Sequence, residues 1–214
     1  MTTFFDVLII IFLFTLFAAS HTFLASSGFK QKLADSIGNK IAFYRLFYNI
    51  SSLIVFAAVY AVSPKPEITL YDLHYPYDIV IFVVQALSLI GLIWAISAFD
   101  ASEFIGINQI RRYLNNEYRM EDIDEKQSLN FKGPFKYSRH PVYFFSILFL
   151  GLRPTMSLFY FVMFVCVTVY FIVGSRYEEK KLVERFGESY LEYQKKVPAF
   201  VPYRFLNKNI INEV

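Results

Sequence analysis

Arg139, His140 and Tyr143 stand close together in the stretch Phe131–Tyr143, FKGPFKYSRHPVY. A second polar group, Arg176, Glu178 and Glu179, follows an apolar run further along the chain. A guanidinium pairs with a carboxylate through two parallel hydrogen bonds. An imidazole gives or takes a proton near neutral pH. Adjacent carboxylates accept hydrogen bonds from hydroxyls or pair with an ammonium. Such a set suits a zwitterionic ligand that carries hydroxyls. A third group, His21 with Tyr44, Arg45, Tyr48 and Asn49, offers one more imidazole beside phenols and a cation. Plainer readings stay open for each. Arg139 and His140 could be membrane anchors, the Glu pair a solvated helix face, and His21 a boundary histidine satisfied by backbone. His74 reads as structural. A metal or haem site from His21 and His140 lacks any HxxxH, CxxC or CxxCH spacing, so no metal is expected.

These groups need elements to hold them, and the composition says which. The chain has 214 residues, is 56% hydrophobic and only 18% charged, with 25 Phe and 16 Tyr. Soluble domains reach about 25% charge, and apolar runs of about 20 residues span a bilayer. Five such segments are expected, at about 4–24, 41–62, 79–99, 141–152 and 155–173. The first lacks a basic leader region and a small-residue cleavage site, so it reads as a retained helix. The fourth is short, roughly 18 Å at about 1.5 Å per residue. Pro141 suits its first turn, and Arg153-Pro154 breaks it, so segments four and five read as a tight helix hairpin. The lone Cys166 lies in an apolar run and reads as an inert small hydrophobe.

Between the segments, residues 26–40 carry Lys30, Lys32 and Lys40, with Leu33 and Ile37 four apart, consistent with a short interfacial helix. Residues 63–78 read as an irregular loop. Residues 100–138 open amphipathically and turn acidic at Glu121, Asp122, Asp124 and Glu125. Beyond Gly174, Leu182, Phe186, Tyr190 and Tyr193 recur at helical spacing, so a C-terminal helix with one apolar stripe is expected, ending at Val197-Pro198. Of the 21 Lys and Arg residues, all but Lys65 and Arg153 fall on one side of this arrangement. The positive-inside rule then puts the N-terminus outside and the C-terminus in the cytosol. On that topology the hairpin returns Arg176, Glu178 and Glu179 to the side where His140 starts segment four. The expected fold is all-α: a polytopic membrane protein of five transmembrane helices with a cytosolic C-terminal helix, forming one domain over residues 1–214.

The pattern GPFKYSRHPVY, a short hairpin, then EEKKLVERFGESYLEYQKKVPAFVP resembles the membrane methyltransferases of the isoprenylcysteine carboxyl methyltransferase type. Phospholipid methyltransferases share a similar C-terminal pattern. His21-Thr-Phe-Leu-Ala-Ser and Tyr44-Arg45-Leu-Phe-Tyr48-Asn49 look like NnrU-type membrane proteins and the related methanethiol S-methyltransferases. The resemblance implies an integral-membrane enzyme that uses S-adenosyl-L-methionine, held by the C-terminal part, about 131–202. It implies cofactor contacts from Phe135, Tyr137, Arg139, His140, Pro141, Val142, Tyr143, Glu178 and Glu179. It makes Arg45, Tyr48, Asn49 and Arg176 candidates for the acceptor side, and Arg176 and His21 candidates for catalysis. Relatives often have Gly two residues after the motif Tyr. Here Phe145 stands there and is expected to narrow close helix packing. The family's acceptor-side Arg also tends to sit further before the Glu pair than Arg176 does.

The expected activity is methyl transfer to a small thiol or lipid-like acceptor, by S- or O-methylation. The expected setting is a multi-pass protein of a bacterial inner membrane, with the bilayer and a small acceptor as partners and no nucleic acid. Two alternatives come with it: a non-catalytic binding or assembly protein of the NnrU sort, and a membrane reductase of the sterol-reductase kind.

Overall fold

The computed structural model describes residues 2–119, 123 and 132–203. Phe131, the acidic run Glu121–Glu125 apart from Ile123, and the tail cations Arg204 and Lys208 lie outside the described residues. Among the described residues, four helical runs are long and apolar enough to cross a bilayer: Thr2–Ala25, Ser27–Val62, Tyr77–Ser97 and Leu158–Phe186. The architecture is therefore multi-span and, apart from one small sheet, all-α among the described residues. The fifth expected span, Pro141–Gly151, is apolar but has only 11 residues. The chain divides into two compact units, 1–66 with 99–128, and 67–98 with 129–214.

In the first unit, α1 (Thr2–Ala25) is followed at once by α2 (Ser27–Ile37). Ser26 caps α2, its hydroxyl accepting from the Phe29 N–H, as small hydroxyl residues do at helix starts. Gly38, at φ +60°, stops α2, and a 3₁₀ segment, Gly38–Phe43, leads into α3 (Tyr44–Val62). Ala34, Ile41, Ala42 and Tyr118 are buried together beneath this junction. The opening of the long polar region forms two short helices, α5 (Ala101–Ile105) and α6 (Ile107–Leu114). Asp100 caps α5 by accepting from the Glu103 N–H at 3.0 Å. The Glu103 carboxylate is buried and takes both Arg112 Nη atoms at 2.9 Å, with the Gln109 amide at 3.2 Å. Gly106 joins the two helices at φ +105°. A Cβ there would lie 2.8 Å from the Leu46 backbone nitrogen on α3.

The second unit opens with β1 (Thr69–Asp72) and α4 (Tyr77–Ser97), and continues after residue 132 with α7 (Pro141–Gly151), β2 (Thr155–Ser157), α8 (Leu158–Phe186) and α9 (Glu188–Lys196). β1 and β2 pair antiparallel, Asp72 opposite Thr155, Tyr71 opposite Met156 and Thr69 opposite Ser157, with a register shift between Thr69 and Tyr71. The sheet corrects two expectations. The connection 63–78 is not wholly irregular, and the fifth segment starts as a strand, so its helix begins at Leu158. Pairing explains both: Leu158 N–H and Leu73 N–H donate to Ile68 and Pro154 carbonyls at 2.8 and 3.0 Å, where extended backbone otherwise needs partners.

α7 packs chiefly on α4, whereas the sequence pattern paired it first with α8. Gln85 on α4 donates to the Phe149 carbonyl at 3.0 Å. Gly91 on α4 leaves the space into which the Phe145 ring fits: a Cβ on Gly91 would lie 2.5 Å from Phe145 Cδ1 and 2.7 Å from Cζ. The expected narrowing at Phe145 is thus relieved by a glycine on the facing helix. The expected tail helix is also broken in two, because Gly187 at φ +57° ends α8 and starts α9. The stripe survives the break. Tyr190, Tyr193 and Val197 are buried with Leu182, Val183 and Phe186 packed around them.

Candidate active site

Pro141 sets the first turn of α7, so the residues just before it remain extended and can be gripped from outside. The segment after α9 does this. Arg139 N–H donates to the Pro198 carbonyl and His140 N–H to the Ala199 carbonyl, each at 2.9 Å. Ser138 Oγ adds a bond to the Ala199 carbonyl at 2.9 Å. Tyr193 on α9 donates its hydroxyl to the Phe135 carbonyl at 2.6 Å. The strap 193–200 therefore lies along the 135–140 segment as a short irregular pairing.

α8 brings the carboxylates. It has 29 residues, about 43 Å at ~1.5 Å each, longer than a ~30 Å hydrocarbon layer. Its apolar run ends at Val173, and the turns from Arg176 onward extend beyond the spanning part. Glu179 lies there. Its Oε1 accepts from Arg139 Nε at 2.8 Å and faces His140 Nε2 at 3.0 Å, and its Oε2 accepts from the Gln194 amide at 2.9 Å. Arg139 Nη1 also reaches the carbonyls of Gln194 and Val197. Burial pushes the Glu179 carboxyl up. The hydrogen bonds from His140 and Arg139 and the Arg139 charge outweigh this and hold it at about 2. Burial likewise pushes the Tyr190 and Tyr193 phenols well above their usual range, so Tyr193 stays a donor.

Glu178 is the more open carboxylate, its side chain 40% exposed against 16% for Glu179. Its Oε2 accepts from the Tyr143 hydroxyl at 3.2 Å and lies 3.7 Å from His140 Nδ1. His140 is thus buried between the two glutamates. Four rings line up beside them. Phe200 packs on His140 at 5.6 Å, His140 stacks on Tyr143 at 5.4 Å, and Tyr143 stacks on Phe171 at 4.7 Å. Pro141 is buried, Val142 is half-buried, and Tyr137 packs at a tilt on Trp94, ring centroids 6.2 Å apart. Arg176 is exposed, and among the described residues no hydrogen bond or ion pair engages it.

The first unit holds its own polar group. The Tyr48 hydroxyl sits 2.7 Å from His21 Nε2, and Ser52 Oγ lies 2.9 Å from Nδ1. Phe17 and Tyr48 each stack with the imidazole, at 5.4 and 4.9 Å. Arg45 and Asn49 are committed elsewhere. Arg45 Nε donates to the Phe104 carbonyl at 2.8 Å, and the Asn49 amide to the Phe104 and Ile105 carbonyls at 3.1 Å, all at the end of α5.

Sequence spacing did not point to Ser52, Phe171, Gln194 or Phe200. Ser52 was legible only as one helical turn beyond Tyr48. Gln194 carries no signal of its own, since its role depends on how α9 folds back after Gly187.

The family model described as Phospholipid methyltransferase matches residues 79–189, just over half of the chain. The chain belongs to the phospholipid methyltransferase family. The match includes the Arg139–Tyr143 motif and the Glu178–Glu179 pair. Membership supports methyltransferase activity in general, and with it S-adenosylmethionine as the methyl source. Curated relatives resemble the chain over most of its length. Methanethiol S-methyltransferase 1 of Bradyrhizobium diazoefficiens is 26% identical over 205 residues, 92% of this chain and 67% of that protein. The Methanethiol S-methyltransferase of Crocosphaera subtropica is 28% identical, covering 88% of this chain and 71% of its own. That of Pseudomonas sp. GM41(2012) is 29% identical, covering 92% and 74%. No solved structure matches the chain.

Proposed function

We propose that this family member is an integral-membrane methyltransferase that moves a methyl group from S-adenosylmethionine to a small thiol, within the branch nearest the NnrU-type and methanethiol S-methyltransferases. The observation that carries the reading is the joining of two motifs far apart in sequence. His140 stands between Glu178 and Glu179, and Arg139 locks the second of these.

The residues present fit the cofactor. Glu178 keeps an accessible carboxylate, suited to an ammonium or to ribose hydroxyls. The ring column beside Glu178 ends on the half-buried Phe171, which suits contact with an adenine ring, and aromatic faces also attract a cationic sulfur. Phe135, Tyr137 and the half-buried Val142 complete the candidate wall. Glu179 is saturated by Arg139, His140 and Gln194. Its role is to hold His140 and Arg139 in place rather than to touch the ligand. Bound there, S-adenosylmethionine supplies a methyl group on a positively charged sulfur, and in-line displacement by a thiolate leaves a neutral thioether. The chain's contribution is alignment, which can supply several kcal/mol of such a barrier, up to ~7–11 in the best-oriented reactions.

A thiol must lose its proton to become the nucleophile. His21, with the Tyr48 hydroxyl and Ser52 at its ring nitrogens, is the catalytic candidate of the first unit, tested below by His21→Ala. Arg176, exposed and uncommitted within the described residues, is the candidate to orient the acceptor. The names of the relatives favour a small thiol over a phospholipid.

The deciding experiment uses the purified full chain in detergent or nanodiscs with methyl-labelled S-adenosylmethionine. Saturable cofactor binding is expected, with label appearing on methanethiol or a short-chain thiol and not on phospholipid. Binding should fall at least tenfold in Glu178→Gln. His21→Ala should keep binding and lose turnover. Absence of saturable binding would sink the enzyme reading. Label transferred only to phospholipid would overturn the thiol assignment.

A further inference from the structure

A groove of about 330 Å³ opens in the first unit among the end of α1, α2, the 3₁₀ segment and the start of α3. Ligand pockets begin near ~300 Å³, so it is large enough for part of an elongated ligand. Leu24, Phe29, Leu33, Ile37, Phe43 and Phe47 supply its apolar lining. Ile37, Phe43 and Phe47 are left 39%, 42% and 63% exposed. Tyr44 lines it too, but its hydroxyl already donates to the Leu24 carbonyl at 3.0 Å. The lining therefore asks its occupant for no hydrogen bond, which suits a hydrocarbon chain.

Lys40 is the charged residue that lines the groove. It is exposed, and among the described residues no hydrogen bond or ion pair engages it. Lys30 and Lys32 lie on the adjoining α2. Phe29, Leu33 and Ile37 are spaced four apart, so they share one face of that helix. α2 is polar elsewhere and joins two apolar runs, α1 and α3, which places the groove at the water–lipid boundary. The excess of Lys and Arg on this side marks it as the leaflet where basic pockets meet anionic head groups.

We propose that this groove binds one anionic phospholipid, an acyl chain lying along Phe29, Leu33 and Ile37 with the phosphate at Lys40. The bound lipid covers the exposed rings and ties α2 to the ends of α1 and α3. The proposal does not depend on the methyltransferase reading.

The test takes the full chain in mild detergent. Lipid retention is read by native mass spectrometry, and thermal unfolding is followed with added phosphatidylglycerol, phosphatidylcholine or glycerol 3-phosphate. One retained phosphatidylglycerol and a Tm rise specific to it are expected. Lys40→Gln should weaken retention at least tenfold, and Ile37→Trp, which fills the groove, should abolish it. Both residues are exposed, so both variants should unfold like the wild type without added lipid. Equal effects of phosphatidylcholine would remove the charge from the argument and overturn the proposal. A full effect of glycerol 3-phosphate would make this a soluble phosphate site instead. Unchanged retention in either variant, or a change of oligomeric state in place of lipid loss in Ile37→Trp, would equally refute it.

Discussion

Phe145 on α7 fills the space left by the missing side chain of Gly91 on α4. A Cβ on Gly91 would stand 2.5 Å from Phe145 Cδ1. Small residues let membrane helices approach closely, and here one glycine admits a large ring. The pairing matters for the candidate site because α7 carries Pro141, Val142 and Tyr143 at its start.

Gly91→Ala should therefore destabilise by about 1–3 kcal/mol, the usual cost of overpacking. In a Phe145→Ala background the added methyl meets no ring, so the same change should cost far less. Thermal unfolding of the two single variants and the double variant measures the coupling. Strictly additive effects would show that the two positions do not share a contact.

The two glutamates should separate stability from ligand binding. Glu179→Gln leaves the mostly buried Arg139 guanidinium without its carboxylate, and removing one partner of a buried pair costs on the order of 3 kcal/mol. Glu178→Gln removes an acceptor whose side chain is 40% exposed, so its stability cost should stay within about 1 kcal/mol. Unfolding curves beside cofactor-binding isotherms check this. If Glu178→Gln unfolds the protein and Glu179→Gln does not, the division of roles is reversed.

Acid should release the same latch. The Glu179 carboxyl is held at about 2 in the folded protein against an ordinary 4.5. A lowered folded value means the unfolded chain binds the proton first. The stabilisation is therefore complete above about pH 4.5 and is lost as pH falls through about 2. The Tm of the wild type should drop across that interval, and the Tm of Glu179→Gln should drop less. Parallel profiles would mean that other carboxylates carry the acid dependence.

The sequence made the membrane helices legible because apolar runs need no partner to be recognised. It also made the meeting of His140 with the Glu pair legible, since the expected topology put both on one side. Three things escaped it. The β1–β2 sheet depends on two short segments finding each other across α4 and α7, and Thr69–Asp72 has no strong pattern alone. The strap 193–200 depends on the turn at Gly187, whose φ of +57° reverses a stripe that reads as one helix. Ser52 was missed because a serine one turn from a tyrosine signals nothing until an imidazole lies opposite both.

Arg45 and Asn49 illustrate a different gap, between what a residue type can do and what its surroundings ask of it. The motif resemblance placed both on the acceptor side. In the fold, their side chains satisfy the carbonyls of Phe104 and Ile105 at the end of α5, where helix carbonyls lack internal partners. Gly106 completes this junction with φ +105° and a close approach to Leu46. Asn49→Ala and Arg45→Met should each lower stability by about 1 kcal/mol, the net worth of such hydrogen bonds. Gly106→Ala should cost more, because the methyl meets backbone that cannot yield and the left-handed conformation disfavours a side chain. If these residues serve only as caps, KM for the thiol stays at its wild-type value once the variants are assayed below their lowered Tm. A rise in KM for Asn49→Ala or Arg45→Met without loss of stability would instead return both to the acceptor site.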